Sequence, residues 1–426
     1  MILSQTHIPG LQLTRHAFEL PLDHAHPDGA RLHVFAREVV AVEKANDDLP
    51  WLLYLQGGPG GASPRPTERS GWLGRAVEEF RVLLLDQRGT GASSPATAQT
   101  LAHLTPEEQA AYLSHFRADA IVRDAEVIRG ILLKDEPWSV LGQSFGGFCA
   151  FSYLSFAPKG LREVFITGGI PAVHRSADEV YRACYRELDR RNTRFFTRYP
   201  EARTVVNELA TQLANHDVRL PDGSPLTVRR LQHLGIVLGA SDGAETLWYL
   251  LEDALVDTSA GCVPSVAFLH AVQGATDFSD RPIYALLHEA IYAQEAATRW
   301  SAERLRPEFP ELDDPAAPGF TGEMIYPWMF DEIALLRPLK TAAEILATKE
   351  DWPPLYHIAQ LAKNTVPVAA AVYAEDLYVP VAWSLETAET TGNVRVWQTN
   401  EYEHNGLRVD GARIFERLLE MVRGKV

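Results

Sequence analysis

The sequence predicts an α/β protein with a mostly parallel central sheet, helices on both of its faces and a large inserted helical cap. Short apolar runs alternate with helical stretches at both ends of the chain. The runs lie at 51–55, 82–85, 138–141, 164–167, 366–372 and 394–397. Continuous apolar runs of this length are typical of strands covered on both faces. Because a helical stretch at 118–133 precedes the third run, the order favours parallel strands with right-handed crossovers.

The middle of the chain has a different pattern. Between about 171 and 353 the strand signal nearly vanishes and helix formers dominate. Helices are expected there at 177–191, 202–214 and 283–306. We therefore predict a core in two parts, 1–171 and 354–426, with a helical cap at 172–353 inserted between two strands of one sheet. Residues 17–42 predict an antiparallel hairpin at the edge of the sheet.

Composition and charge exclude several classes of function. The formal net charge is -16 over 426 residues, which disfavours phosphate backbones and anionic membrane surfaces as partners. No stretch approaches the ~20 consecutive apolar residues of a membrane-spanning helix, and the N-terminus lacks the pattern of a secretory signal. Three scattered cysteines form no disulfide framework. A reduced, cytoplasmic setting is therefore expected. The acidic residues either keep the protein soluble or line a pocket for a cationic group.

The strongest motif is Gly-Gln-Ser-Phe-Gly-Gly at 142–147. It follows the run at 138–141 and precedes an apolar helix at 148–156, which is the setting of a G-x-S-x-G nucleophile elbow. A glycine-rich packing turn is the alternative, and this setting disfavours it. The motif predicts the α/β-hydrolase fold with Ser144 as the nucleophile.

A serine hydroxyl is a weak nucleophile and needs a base. In the α/β-hydrolase fold the acid and then the histidine follow the serine, each after a strand. Asp376 follows the strand at 368–373 and is the predicted acid, with Glu375 as its immediate rival. His404 follows the next strand and is the predicted base. An aspartate in this place orients the imidazole and stabilises its protonated form.

An acyl-transfer site also needs hydrogen-bond donors for the oxyanion. Gln-Gly-Gly-Pro-Gly-Gly at 56–61 follows the first strand of the predicted sheet, and we expect the backbone amides of Gly58 and Phe145 to be the donors. A phosphate-cradling loop is disfavoured because no P-loop lysine is present. Residues 86–91 are predicted to be a structural turn behind this loop rather than a catalytic carboxylate–arginine pair. No metal-ligand spacing stands out, so neither a metal nor a cofactor is expected.

Together these motifs resemble the prolyl aminopeptidases, or proline iminopeptidases, and more specifically the longer bacterial type with an enlarged cap. The resemblance runs over nearly the whole chain. Its most specific parts are His-Glu-Ala-Ile-Tyr-Ala at 288–293 and Gly-Glu-Met-Ile-Tyr-Pro-Trp at 322–328, and it ends at 401–408. One departure is Gln56, where many relatives have histidine. That residue is neither the nucleophile nor the base.

The resemblance implies a serine exopeptidase that removes an N-terminal residue, preferably proline, from small peptides. Such an enzyme must bind a protonated α-amine, and in the family glutamates of the cap do this. Glu289 matches the family pattern best and Glu323 is a second candidate. The alternative is that either glutamate pairs with a neighbouring arginine. Tyr326 and Trp328, with Phe145, are expected to be walls of the proline pocket. An esterase or amidase with the same triad but no amine requirement is the alternative, and a non-catalytic binding protein is disfavoured by the full triad.

Overall fold

The computed structural model describes residues 1–259 and 261–426. Within them, nine strands form one sheet and two form a separate hairpin. The strands are β1 (Ile2–Ile8), β2 (Leu11–Pro21), β3 (Arg31–Ala41), β4 (Trp51–Leu55), β5 (Arg81–Leu85), β6 (Trp138–Gln143), β7 (Leu161–Thr167), β8 (Leu255–Thr258), β9 (Gly261–Pro264), β10 (Val368–Tyr373) and β11 (Val394–Thr399).

Helices cover the sheet and make up most of the middle of the chain. They are α1 (Gly71–Ala76), α2 (Pro106–Leu113), α3 (Ala118–Leu133), α4 (Phe145–Phe156), α5 (Ala177–Arg198), α6 (Pro200–Asn215), α7 (Val228–Gln232), α8 (Gly243–Glu252), α9 (Val266–Thr276), α10 (Pro282–Leu287), α11 (Ser301–Leu305), α12 (Met329–Glu332), α13 (Lys340–Thr348), α14 (Ile358–Ala362), α15 (Val381–Thr390), α16 (Gly406–Val409) and α17 (Gly411–Val422). In the described part of the chain, none of them combines the length and apolar content that crossing a bilayer would need.

The large sheet has the strand order β1-β2-β3-β5-β4-β6-β7-β10-β11. The strands from β5 to β11 in this order pair in parallel, as the apolar runs predict. The predicted edge hairpin corresponds to β2 and β3, which pair antiparallel. The sequence interpretation missed β1. That strand is mostly exposed and polar, so it lacks the apolar run by which the other strands were found.

Burial explains why the central strands form. Every residue of β10 is buried, and β4 to β7 are buried at nearly every position, because α1 and α17 pack on one face while α3 and α4 pack on the other. The parallel pairing brings the carboxyl ends of β4, β6, β10 and β11 to one edge of the sheet. Loops that follow these strands therefore share that edge.

The predicted cap segment, 172–353, leaves the sheet after β7 and returns before β10, and these two strands are neighbours. Most of it is helical, although β8 and β9 form a small hairpin. The single helix expected at 283–306 is wrong. The chain instead forms α10, a 3-10 turn at Glu289–Tyr292 and α11, and Trp300 adopts a left-handed conformation with φ 57° just before α11 begins. Tertiary packing thus overrides a helical pattern that contains no glycine or proline.

Candidate active site

Ser144 lies at the turn between β6 and α4 with φ 54° and ψ -125°, a conformation that non-glycine residues rarely adopt. Such strain persists only where the surroundings enforce it. Here they do, because the turn has no room for side chains. A Cβ at Gly146 would stand 1.9 Å from the carbonyl oxygen of Leu55, and one at Gly142 would stand 2.4 Å from that of Gly146. The glycines of the motif are therefore a steric requirement of the turn.

The three residues that the sequence predicts as a triad lie in one chain of hydrogen bonds. Ser144 Oγ is 2.8 Å from His404 Nε2, and His404 Nδ1 is 2.7 Å from Asp376 Oδ2. All three residues are buried. In the tautomer that donates from Nδ1 to the carboxylate, Nε2 is free to accept the proton of the serine hydroxyl. The arrangement is therefore set up to activate a serine nucleophile.

Asp376 and its rival Glu375 point to different partners. The second oxygen of Asp376 accepts the backbone amides of Tyr378 at 2.9 Å and Val379 at 3.0 Å, which fixes the carboxylate against His404. Glu375 instead pairs with Arg194 at the surface. The structure therefore brings Asp376, and not Glu375, to the histidine.

His404 is placed among charges that favour its protonated form. Burial of the ring works to lower the pKa of His404, but the carboxylates of Asp376 and Glu323 outweigh it, and the pKa lies above its ordinary value of 6.5. The ring of Tyr378 packs edge-on against the imidazole, with the centroids 4.8 Å apart. The backbone amide of His404 donates to the carbonyl of Gly239, at 3.1 Å. Sequence reasoning missed Tyr378 and Gly239, because their contacts with His404, a ring contact and a backbone hydrogen bond, belong to no sequence motif.

In the glycine-rich loop after β4, Gly57 is packed against Ser144. A Cβ at Gly57 would stand 2.9 Å from the Cβ of Ser144, whereas the nearest atoms to one at Gly58 are the amide nitrogens of Gly60 and Gly61. Phe145 opens helix α4, whose first amides have no partner within the helix. Gly57 therefore has no room for a side chain beside Ser144. The position of Gly57 directly after β4 and Gln56 is the sequence signal that could have indicated this contact.

The turn at 86–91 makes hydrogen bonds that hold the segments around the glycine-rich loop. Asp86 accepts from the amide and hydroxyl of Ser63 and from Arg65, and the side chain of Gln87 donates to the carbonyl of Gln56 at 2.9 Å. Arg88 pairs with Asp124, not with Asp86. This turn therefore fixes the start of the glycine-rich loop from behind.

Glu323 is the predicted cap glutamate whose charge acts on His404. Its side chain is 16% exposed, lies 3.5 Å from His288 Nε2 and accepts a hydrogen bond from the hydroxyl of Tyr284. Burial works to raise the pKa of Glu323, but His288, His404 and Tyr284 together hold it below its ordinary value. The charge of an ionised carboxylate thus acts on the imidazole of His404.

Glu289 has a different function in the fold. Its two carboxylate oxygens accept the backbone amides of Ser301 and Ala302, each at 2.9 Å, where α11 begins. Carboxylates are favoured at helix N-termini because they satisfy amides that have no partner within the helix. Burial raises the pKa of Glu289 despite these bonds. Both oxygens are thus already engaged by the backbone of the cap.

Comparison with known proteins agrees with this geometry. The family model described as "alpha/beta hydrolase fold" matches residues 50–407. A proline iminopeptidase of Aeromonas sobria is 54% identical over 419 residues, which cover 98% of each chain. This chain belongs to the proline iminopeptidase family of α/β hydrolases. The predictions of fold and family are therefore confirmed.

More distant proteins show weaker likeness. The proline iminopeptidase aneH of Aspergillus aculeatus is 37% identical over 96% of this chain and 93% of its own. Among solved structures, VinJ is 14% identical with a TM-score of 0.46, over 96% of this chain and 99% of its own.

In this member of the proline iminopeptidase family, the ring contacts of Tyr326 and Trp328 and the hydrogen bonds of the Tyr326 hydroxyl are with cap residues. The hydroxyl of Tyr326 lies 2.9 Å from that of Tyr185, and its ring stacks on Trp328. The guanidinium of Arg229 lies over the ring of Trp328. Trp328 also lines a cavity of about 960 Å³ whose wall includes no triad residue. These contacts are all with other residues of the cap.

Proposed function

We propose that this chain is a cytoplasmic serine exopeptidase that releases N-terminal proline, and less readily related residues, from small peptides. The observation that carries the proposal is the hydrogen-bond chain from Ser144 through His404 to Asp376. The sequence identity to proline iminopeptidases over nearly the full chain supports the substrate class. The three cysteines are free, which supports a reducing compartment.

The proposed reaction passes through an acyl-enzyme. Ser144 Oγ attacks the carbonyl carbon of the N-terminal proline while His404 Nε2 takes the hydroxyl proton. The amides of Phe145 and of Gly58 or Gly57 stabilise the oxyanion. As the C–N bond breaks, His404 returns the proton to the leaving amine. Water then attacks the ester, again with His404 as base, and releases proline and free Ser144.

We assign recognition of the α-amine to Glu323. The N-terminal proline of a peptide carries a protonated secondary amine with two N–H donors close to the scissile carbonyl. An ionised carboxylate in a largely buried site binds such a cation more strongly than one in open water. Glu323 is ionised and close enough to His404 to influence its pKa, whereas both oxygens of Glu289 are taken by backbone amides. We therefore propose Glu289 as a support of the cap, with 172–353 as the inserted domain between the core segments 1–171 and 354–426.

The test is hydrolysis of proline β-naphthylamide beside its N-acetylated form, by the native chain and by Ser144→Ala. The free-amine compound should be cleaved and the acetylated one should not, because acetylation removes the charge that Glu323 binds. Ser144→Ala should abolish cleavage. Equal cleavage of both compounds by the native chain would instead favour an esterase or amidase without an amine requirement.

A further inference from the structure

A chain of polar side chains lies in the cap around Glu323. His288 follows directly after α10 and is 1% exposed. Its Nδ1 is 2.9 Å from the hydroxyl of Tyr181 on α5, and its Nε2 is 3.5 Å from Oε2 of Glu323. The other oxygen of Glu323 accepts a hydrogen bond from the hydroxyl of Tyr284. Each carboxylate oxygen of Glu323 therefore has a polar side chain of the cap against it.

The hydroxyl of Tyr181 determines where the hydrogen of the His288 ring lies. Tyr181 is buried, and among the described residues its hydroxyl has no hydrogen bond except the one with His288. If Nδ1 donated to the hydroxyl, the hydroxyl hydrogen would be buried without an acceptor, and the lone pair of Nε2 would face a carboxylate. If the hydroxyl donates to Nδ1, both costs are avoided and the ring carries its hydrogen on Nε2.

Nε2 of His288 is buried and makes no hydrogen bond within residues 1–259 and 261–426. At 3.5 Å it is slightly farther from Oε2 of Glu323 than a normal hydrogen bond allows, and a movement of about 0.5 Å closes that gap. Burial works to raise the pKa of Glu323, and the largest lowering effect comes from His288. An N–H group on Nε2 is therefore available to hold the carboxylate.

The two donors leave room for a ligand at the carboxylate. A carboxylate has about four acceptor positions, so Tyr284 and His288 together occupy only part of them. The N–H groups of an N-terminal proline have fixed directions, because the nitrogen is part of a ring. A carboxylate that is held in one orientation binds such a group more strongly than one that rotates freely.

We propose that His288 is a positioning residue, which holds the carboxylate of Glu323 in the orientation that binds the α-amine, while Tyr181 fixes the hydrogen of the His288 ring. The inference rests on the proposed exopeptidase function, in which Glu323 binds that amine. His288 acts through Glu323 and makes no contact with the substrate itself. Its part in the cap resembles that of Asp376 at the sheet edge, which orients His404.

The experiment compares kcat/KM for proline β-naphthylamide with kcat/KM for cyclopentanecarboxylic acid β-naphthylamide, which lacks the charged nitrogen. The ratio of the two values measures recognition of the amine, because damage to the fold or to the triad lowers both values alike. His288→Leu should lower the ratio by about tenfold, since the carboxylate loses a donor. His288→Gln should keep the ratio within about twofold of the native value, because the glutamine amide can present an N–H near the position of Nε2.

Tyr181→Phe tests the other end of the chain of side chains. It keeps both rings but removes the hydroxyl that fixes the hydrogen on Nε2, so the ratio should fall by about threefold. His233→Leu is the matched control. His233 is a fully buried histidine of the cap, and in the described part of the chain neither of its ring nitrogens has a hydrogen bond. The same substitution at this position should leave the ratio close to that of the native chain.

The outcomes separate the inference from the function on which it rests. A ratio near one in the native chain would overturn both. A large native ratio that Glu323→Gln abolishes and His288→Leu retains would overturn the inference alone, as would equal losses in His233→Leu and His288→Leu. If thermal unfolding shows that His288→Leu does not fold, an unchanged ratio in Tyr181→Phe would overturn the inference.

Discussion

The edge of the sheet and the cap contribute to the site in different ways. At the sheet edge, Ser144, Asp376 and His404 each follow the carboxyl end of a parallel strand, so strand pairing alone brings their backbones together. In the cap, Glu289 begins a 3-10 turn and both of its carboxylate oxygens accept backbone amides, whereas Glu323 lies in an irregular segment and its charge acts on His404. The difference teaches that strand order determines the position of the catalytic groups, whereas the direction of each cap side chain depends on local packing.

The two regions are joined by charge. On α5, Arg191 pairs with Glu403 and donates to the carbonyl of Glu375, and Arg194 pairs with the carboxylate of Glu375. Glu403 and Glu375 directly precede His404 and Asp376 along the chain. The cap therefore holds the two loops that present the acid and the base.

The largest expected effect tests the sheet edge. Asp376→Asn should lower kcat for proline β-naphthylamide by about 10⁴-fold, because the amide no longer favours the imidazole tautomer that accepts from Ser144. Glu375→Gln is the matched control at the neighbouring carboxylate and should retain most of the activity. Steady-state kinetics with both variants decide the matter, and a larger loss in Glu375→Gln would show that the acid had been assigned to the wrong residue.

A smaller effect tests the contact between the two regions. Arg191→Gln should lower kcat severalfold and reduce the free energy of unfolding by about 1–3 kcal/mol, because the half-buried Glu403 loses its partner. Arg190→Gln, which removes the pair between an exposed arginine and Glu187 on the same helix, should leave both quantities close to those of the native chain. Steady-state kinetics and thermal unfolding of the two variants check this prediction. Equal kcat and equal unfolding temperature in both variants would show that the Arg191–Glu403 pair does not support the active-site loops.

The smallest effect is a shift of the pH profile. His404 must be neutral to accept a proton, and its pKa is raised in part by the Glu323 carboxylate. Activity should therefore fall as the pH decreases through that raised pKa, on a limb above the ordinary value of 6.5. Glu323→Gln removes one of the raising charges and should move the acid limb to lower pH. The measurement is kcat/KM as a function of pH for the native chain and Glu323→Gln. An acid limb at the same pH in both would show that the charge of Glu323 does not affect the pKa of His404.

The sequence predicts the sheet edge better than the cap. It predicts the central strands and Ser144, Asp376 and His404, because apolar runs and the loops that follow them can be recognised from the order of the residues alone. Strand β1 was missed because it is polar and exposed, and Gly57 because proximity to Ser144 is a property of the folded turn.

In the cap the pattern misled. The helical spacing of 283–306 gave no sign of its break, since Glu289 accepts amides of α11 that only the folded chain brings to it. The same contacts engage both carboxylate oxygens of Glu289, the better match to the family pattern. Tyr326 and Trp328 follow Glu323 closely in sequence but pack within the cap.

The central claim is that the sheet edge performs the chemistry while Glu323 alone of the two cap glutamates reads the α-amine. The most direct measurement compares kcat/KM for proline β-naphthylamide with that for cyclopentanecarboxylic acid β-naphthylamide, in which a methylene replaces the charged nitrogen. The native chain should prefer the amine by about a hundredfold or more, Glu323→Gln should lose most of that preference, and Glu289→Gln should keep it while unfolding at a lower temperature. A preference that disappears in Glu289→Gln and survives in Glu323→Gln would contradict the account.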